Sequence, residues 1–272
     1  MSPTAVFGGK QNRFYEIGDG SGGLAISNLH YAAAKALGFT LAYIPKKVEK
    51  AGLSQLYRSL CGSAAGFTLT SPFKTEIIMM LDAIDDDASA IGACNVIACE
   101  KGRFKGYNTD WVAIRNVLKR KGLKPVRNRA LVIGTGATAR ASLYSLWRLG
   151  FTRMILSGRN QASSGAIVKG LGFIMGVDAV SLPYLEAFKS LELRGFDVIV
   201  NATPLGRKEG EDPTLAAALP ADGTILDLAL SSSPTRLAKR AVEAGCKIIG
   251  GEEVAAEEAL LDVHVWAGSA LP

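Results

Sequence analysis

From Ala130 onward, short apolar runs alternate with stretches that carry apolar residues at helical spacing. Strands are predicted at Ala130–Ile133, Met154–Leu156, Ala179–Ser181, Asp197–Asn201, Thr224–Asp227 and Lys247–Ile249. Helices are predicted between them at Ala137–Leu149, Gln161–Leu171, Tyr184–Leu193, Pro234–Ala244 and Glu252–Val265. Such alternation implies right-handed crossovers and a doubly wound parallel sheet. The first half is less regular. It reads as a strand at Ala5–Phe7, a long loop over Gly8–Gly23 and a helix over Leu29–Leu37 closed by Gly38. A strand over Leu41–Ile44 ends at Pro45, and a helix follows over Val48–Leu60. Gly66 opens a strand that runs into a turn at Pro72, and Thr75–Ile84 has helical spacing. Asn95–Cys99 and Arg103–Lys105 form a hairpin across Lys101-Gly102, and a helix covers Trp111–Arg120. The fold class is α/β, with one domain over residues 1–109 and a second over 110–251.

The second domain opens on Ala130-Leu-Val-Ile-Gly-Thr-Gly-Ala-Thr-Ala-Arg-Ala141. Strand, glycine turn and helix in that order give a dinucleotide-binding pattern. Gly134 permits the tight turn, Gly136 lets backbone approach a pyrophosphate, and Ala139 is small enough for close packing of helix on strand. The N–H groups at the helix start, Ala137 included, face the anion. The next strand ends at Ser157-Gly-Arg159-Asn160, where an acid would hold a ribose hydroxyl and a basic residue accommodates a 2′-phosphate. Arg159 therefore points to NADP rather than NAD.

Composition narrows the class without naming it. The chain has 272 residues, 48% hydrophobic and 21% charged, as in an ordinary globular protein. Its net charge of +6 is spread out, with no basic run to serve as a nucleic-acid arm. The four cysteines lack C-x-x-C spacing and read as reduced. Two histidines, His30 and His264, argue against a zinc site, and no metal is expected. No signal peptide or membrane span is legible, so a cytoplasmic location is expected, with no membrane partner. Lys74, beyond a buried strand and a proline turn, and Asp110, at a helix start, could together hold a substrate hydroxyl and move its proton. Each also reads plainly, Lys74 as a surface lysine and Asp110 as a helix N-cap.

Together these segments resemble the shikimate/quinate dehydrogenase family over nearly the whole chain. Thr70-Ser-Pro-Phe-Lys74 is similar to the family's segment ending in its catalytic lysine, and Gly106-Tyr-Asn-Thr-Asp-Trp111 to the run holding its catalytic aspartate. Ile91-Gly-Ala-Cys-Asn95 resembles the segment whose asparagine binds substrate. Gly134–Ala141, Gly158-Arg159-Asn160 and Asn201-Ala-Thr-Pro-Leu-Gly206 resemble its cofactor segments. The resemblance implies an N-terminal α/β substrate-binding domain plus a Rossmann domain, with a last helix, 252–272, returning to the first. It implies catalytic Lys74 and Asp110, substrate-binding Thr70, Asn95 and Glu258, and NADP bound by Gly134, Gly136, Ala137, Arg159, Asn201 and Thr203, with Ala202 near it. The activity implied is reversible hydride transfer between NADP and a ring hydroxyl or ketone of a shikimate-like polyol, by a monomer or homodimer.

The departures concern the family's carboxylate clamp. Leu24 and Ile26 fall where the family has paired serines, with Ser27 at its proline position. Leu230 falls at a tyrosine position and Glu258 at a glutamine position. Losing partners to a charged group costs roughly 1.5–3 kcal/mol each, and a glutamate beside a substrate carboxylate would repel it. Ser21 or Ser27 could substitute for the lost serines. A second reading therefore stays open, a catalytically impaired relative acting as a ligand sensor or regulator of quinate and shikimate metabolism. Some resemblance to the fungal multifunctional-enzyme domain, in the T-A-R-A and N-T-D-W runs, keeps that reading in view.

Overall fold

The computed structural model describes residues 13–20, 23–184, 188, 192–269 and 271, without the side chains of residues 23–25. The expected strand at Ala5–Phe7, Ser21 and the Leu24 side chain lie outside this description. The chain forms two compact units, residues 1–112 with 255–272, and residues 113–254.

The first unit is built on a six-stranded mixed sheet. Its strands are β1 (Arg13–Gly18), β2 (Ala42–Lys47), β3 (Gly66–Leu69), β4 (Ala83–Ile84), β5 (Val96–Glu100) and β6 (Arg103–Tyr107), in the order β2-β1-β3-β5-β6-β4. β1 runs parallel to β2 and β3, while β5 is antiparallel to β3 and β6. Alternation sorts the β1 side chains: Tyr15 and Ile17 pack on one face with Phe67, Phe73 and Phe104, and Phe14 packs on the other with Tyr43 and Trp266. Phe67 and Phe104 meet edge to face at 5.3 Å. Helices α1 (Gly23–Ala36), α2 (Leu53–Leu60), α3 (Asp86–Ile91) and α4 (Asp110–Arg120) complete the N-terminal part of the chain.

Four expectations are corrected here. The loop predicted over Gly8–Gly23 contains β1, and the first helix begins at Gly23 rather than Leu29. β1 forms because Phe14, Tyr15 and Ile17 are buried between two parallel neighbours, which outweighs the polar context. The strand expected to stop at Pro45 continues to Lys47, tolerated because β2 is a sheet edge and needs no ladder donor there. The helix predicted over Thr75–Ile84 is one 3₁₀ turn, Ile77–Met80, followed by β4. Asp82 ends it by pairing with Phe104 through both its N–H and its carboxylate. Tertiary pairing here overrides helical spacing.

The second unit has a six-stranded, all-parallel sheet of β7 (Arg129–Ile133), β8 (Arg153–Gly158), β9 (Asp178–Pro183), β10 (Val198–Asn201), β11 (Thr224–Asp227) and β12 (Lys247–Gly250). Its order, β12-β11-β10-β7-β8-β9, is that of a doubly wound Rossmann sheet, with the switch point between β7 and β10. Helices α5 (Ala137–Arg148), α6 (Gln161–Met175) and α7 (Arg236–Glu243) follow β7, β8 and β11. Of the helix expected at Tyr184–Leu193, residues 185–187 and 189–191 are outside the description, and Leu193–Gly195 is a 3₁₀ turn. Helix α8 (Gly251–Trp266) ends the fold in the first unit. There Trp266 packs against Phe14 at 4.4 Å and donates its indole N–H to Ile97 O at 3.1 Å. Among the described residues, no helix is long and apolar enough to cross a membrane.

Candidate active site

The first unit gathers a buried polar network from β3, β5, α1, α4 and α8. Beyond β3 the chain turns at Ser71-Pro72, whose peptide bond is cis, and the Lys74 carbonyl accepts from the N–H of Cys94, two residues before β5. Its ammonium donates to both oxygens of Asp110, at 2.9 and 2.8 Å. Asn108 Oδ1 takes the Trp111 N–H as the start of α4, so the Asp110 carboxylate is not spent on capping and faces Lys74. Burial opposes the lysine charge, but Asp110 and then Glu258 outweigh it, and the ammonium is held above its usual value.

Asn95, fully buried, accepts the Thr109 N–H on its carbonyl and donates its amide to Thr109 Oγ1 at 2.6 Å and to Glu258 Oε1 at 2.8 Å. Thr109 Oγ1 passes the chain on to Asp262 on α8, and Asp262 meets His30 Nε2 at 3.0 Å. His30 Nδ1 lies 2.9 Å from Ile26 O, and its ring stacks on Tyr43. Glu258 Oε1 stands 3.9 Å from Lys74 Nζ, with 26% of its side chain exposed. Burial, and next the neighbouring Asp110, push the Glu258 carboxyl well above the usual range. Thr70 Oγ1 is buried without a partner among the described residues, against the bare face of Gly18. Ser27 is buried beside Glu16, whose carboxyl burial pushes up. Lys74, Asp110, Asn95 and Glu258 thus converge. Thr109, Asp262 and His30 join them without having been singled out for the site from sequence.

In the second unit the glycine turn sits at the carboxyl end of β7, beside the switch point. Gly134 has φ +124°, and a Cβ there would lie 2.8 Å from Ala202 O. A Cβ on Gly136 would meet nothing within 4 Å, so its bare face opens on free space at the start of α5. Ser157 Oγ, at the end of β8, is buried without a partner among the described residues, and Ser157 O accepts the Gly134 N–H. The half-buried Arg140 guanidinium, in the first turn of α5, has no ion pair or hydrogen bond among the described residues, and burial lowers its pKa. Arg159 is exposed in the bend beyond β8, where Asn160 caps α6. These features fit a phosphate-rich dinucleotide: a helix start, a close-approach glycine and two cations.

Asn201 is placed differently from its neighbours. It is fully buried at the end of β10, and its amide donates to Leu205 O and Asp227 Oδ1 while its carbonyl accepts from Thr203. That side chain shapes the 202–206 turn, leaving Ala202 and Thr203 half-buried beside Gly134 of the glycine turn. Leu230 is exposed beyond β11.

A sequence profile for the shikimate dehydrogenase substrate-binding domain matches residues 26–97. The chain is 30% identical to "Shikimate dehydrogenase (NADP(+))" of Geobacter sp. (strain M21) over 251 residues, 90% of this chain and 86% of that protein. It is 29% identical to the protein of the same name from Citrifermentans bemidjiense, over the same shares. A crystal structure of shikimate 5-dehydrogenase from Thermus thermophilus, in complex with NADP(H) and shikimate, superposes with a TM-score of 0.82 at 27% identity, covering 96% of this chain and 94% of that one. A two-unit α/β fold with a Rossmann sheet and a buried lysine–aspartate pair defines an oxidoreductase scaffold. The chain belongs to the shikimate dehydrogenase family.

Proposed function

We propose that this protein is an NADP-dependent oxidoreductase of the shikimate dehydrogenase type, interconverting a ring hydroxyl and ketone on shikimate or a quinate-like or amino analogue. The observation that carries the reading is the Lys74 ammonium bonded to both Asp110 oxygens inside the first unit. NADP, when bound, supplies or accepts the hydride. Gly134, Gly136, Ala137 and Arg159 are the residues to hold it, with Thr203 and the Asn201-shaped turn beside them. Arg140 is a further cation for its phosphates.

The work of the chain's own side chains follows from their charges. In ketone reduction the Lys74 ammonium donates a hydrogen bond and then its proton to the carbonyl oxygen as that oxygen gains charge. Alcohol oxidation is the same step reversed: the Lys74 amine takes the hydroxyl proton as the hydride leaves, and the Asp110 carboxylate stabilises the ammonium that forms. Asn95, Thr70 and Glu258 orient the ring. A ligand sensor has no need of a lysine and an aspartate so paired, and the relatives are named as enzymes. The reading is of a cytoplasmic monomer or homodimer acting on small molecules. It is tested by following NADPH absorbance with shikimate, quinate and ring polyols lacking the carboxylate. NADPH formation with at least one, and faster than with NAD, is expected; binding with no absorbance change for any of them would contradict it.

A further inference from the structure

The charged groups of the first unit's network do not pair off evenly. Asp110 takes Lys74 through two hydrogen bonds, and Asp262 is hydrogen-bonded to the His30 ring. The third carboxyl, Glu258, has the Asn95 amide at 2.8 Å and reaches a cation only at 3.9 Å, where Lys74 is already held by Asp110. With a ring hydroxyl on the Lys74 ammonium, Glu258 Oε1, 3.9 Å from that nitrogen, lies within reach of a substituent on the adjacent ring carbon. The exposed quarter of that side chain is open to it. We propose that the substrate is an amino polyol, with an ammonium on the carbon next to the one oxidised, bound by Glu258 as a carboxylate.

The physical case is one of charge balance. A hydroxyl at that place would be bonded as well by an uncharged amide, without the penalty of burying an acid beside Asp110. An ammonium supplies the countercharge that Glu258 lacks, and it favours the ionised acid over the neutral one. A carboxylate in the same place would stand among Asp110, Glu258 and Asp262 with Lys74 already committed. The proposal rests on the dehydrogenase reading for the place of the reacting hydroxyl.

The test compares 2-aminocyclohexanol with cyclohexane-1,2-diol, cis and trans forms of each, by calorimetry on the cofactor-free protein and on Glu258→Gln. The native protein is expected to bind the better amino isomer about tenfold or more tightly than either diol. Glu258→Gln is expected to bring that ratio to about twofold or less. Heats measured in two buffers of different ionisation enthalpy are expected to show proton release with the amine in the native protein and none in the variant. Equal or tighter binding of a diol to the native protein, or an amine preference that survives Glu258→Gln, overturns the proposal. NADPH formation by the same compounds is read separately. An intact amine preference with no NADPH from these compounds or from shikimate, quinate and the other ring polyols sinks the dehydrogenase reading and leaves the ammonium site standing.

Discussion

Lys74 keeps its charge in a buried place because two carboxyls face it, which suits it to the role proposed for it. A lysine held above its usual value is an acid at neutral pH, suited to protonating the oxygen of a ketone. The ketone-reduction rate is accordingly expected to show no Lys74 deprotonation limb until pH exceeds the ordinary 10.5. A pH–rate profile with a basic limb near neutrality, assigned to Lys74 by its loss on substitution, would contradict this. Glu258 behaves oppositely. The folded protein holds its proton more tightly than the unfolded chain does, so this group makes stability fall as pH rises above the ordinary 4.5 toward the raised value. Glu258→Gln is therefore expected to flatten the decline of melting temperature as pH rises above the ordinary 4.5. A decline as steep as in the native protein would show that Glu258 titrates normally. The motifs around Lys74, Asn95 and Asp110 make these residues legible in the sequence. Asp262 and His30 are not, because their meeting depends on a helix placed 232 residues further along the chain.

At the scale of elements, the glycine turn and α8 each carry a requirement that one substitution isolates. Gly134→Ala places a methyl against Ala202 O at positive φ, and strains the turn itself. Gly136→Ala meets no atom, so the fold is expected to keep its melting temperature while NADP affinity drops about tenfold or more. Parallel melting and cofactor titrations of the two variants separate strain from blocked approach. Equal NADP affinity in Gly136→Ala would rule out close approach there. Trp266→Ala removes the packing that seats the end of α8 on the sheet, at a cost of roughly 3–5 kcal/mol. Denaturant titration checks it, and a loss under about 1 kcal/mol would mean that α8 is held elsewhere. The regular second half of the chain was readable because each strand is a continuous apolar run, as both-sided burial demands. β1 and the Ile77–Ile84 stretch were not, since pairing partners rather than their own periodicity decide them.

For the whole molecule, the sheet order and the residues at the strand ends are the grounds for proposing the second unit as the dinucleotide's place. Cofactor at about a hundred times its Kd should stabilise that unit by about 2.7 kcal/mol. Arg159 lies exposed in the bend where a ribose phosphate is expected, so NADP should raise the melting temperature more than NAD. Arg159→Ala should weaken NADP by about tenfold and leave NAD nearly unchanged. Equal shifts from the two cofactors in the native protein would move the phosphate contact away from that bend. The two-unit architecture was legible from alternation and motif order together. The acidic weighting of the first unit was not, because Glu16, Glu258 and Asp262 come from opposite ends of the chain and share an environment only once folded.

The central claim is that the ammonium of Lys74 moves the proton while the second unit holds the cofactor. The most direct measurement is turnover and NADP affinity of Lys74→Ala on one preparation. Turnover is expected to fall by about a thousandfold or more with the NADP Kd unchanged within about twofold. A variant that turns over at the native rate, or one that loses NADP binding along with activity, would contradict it.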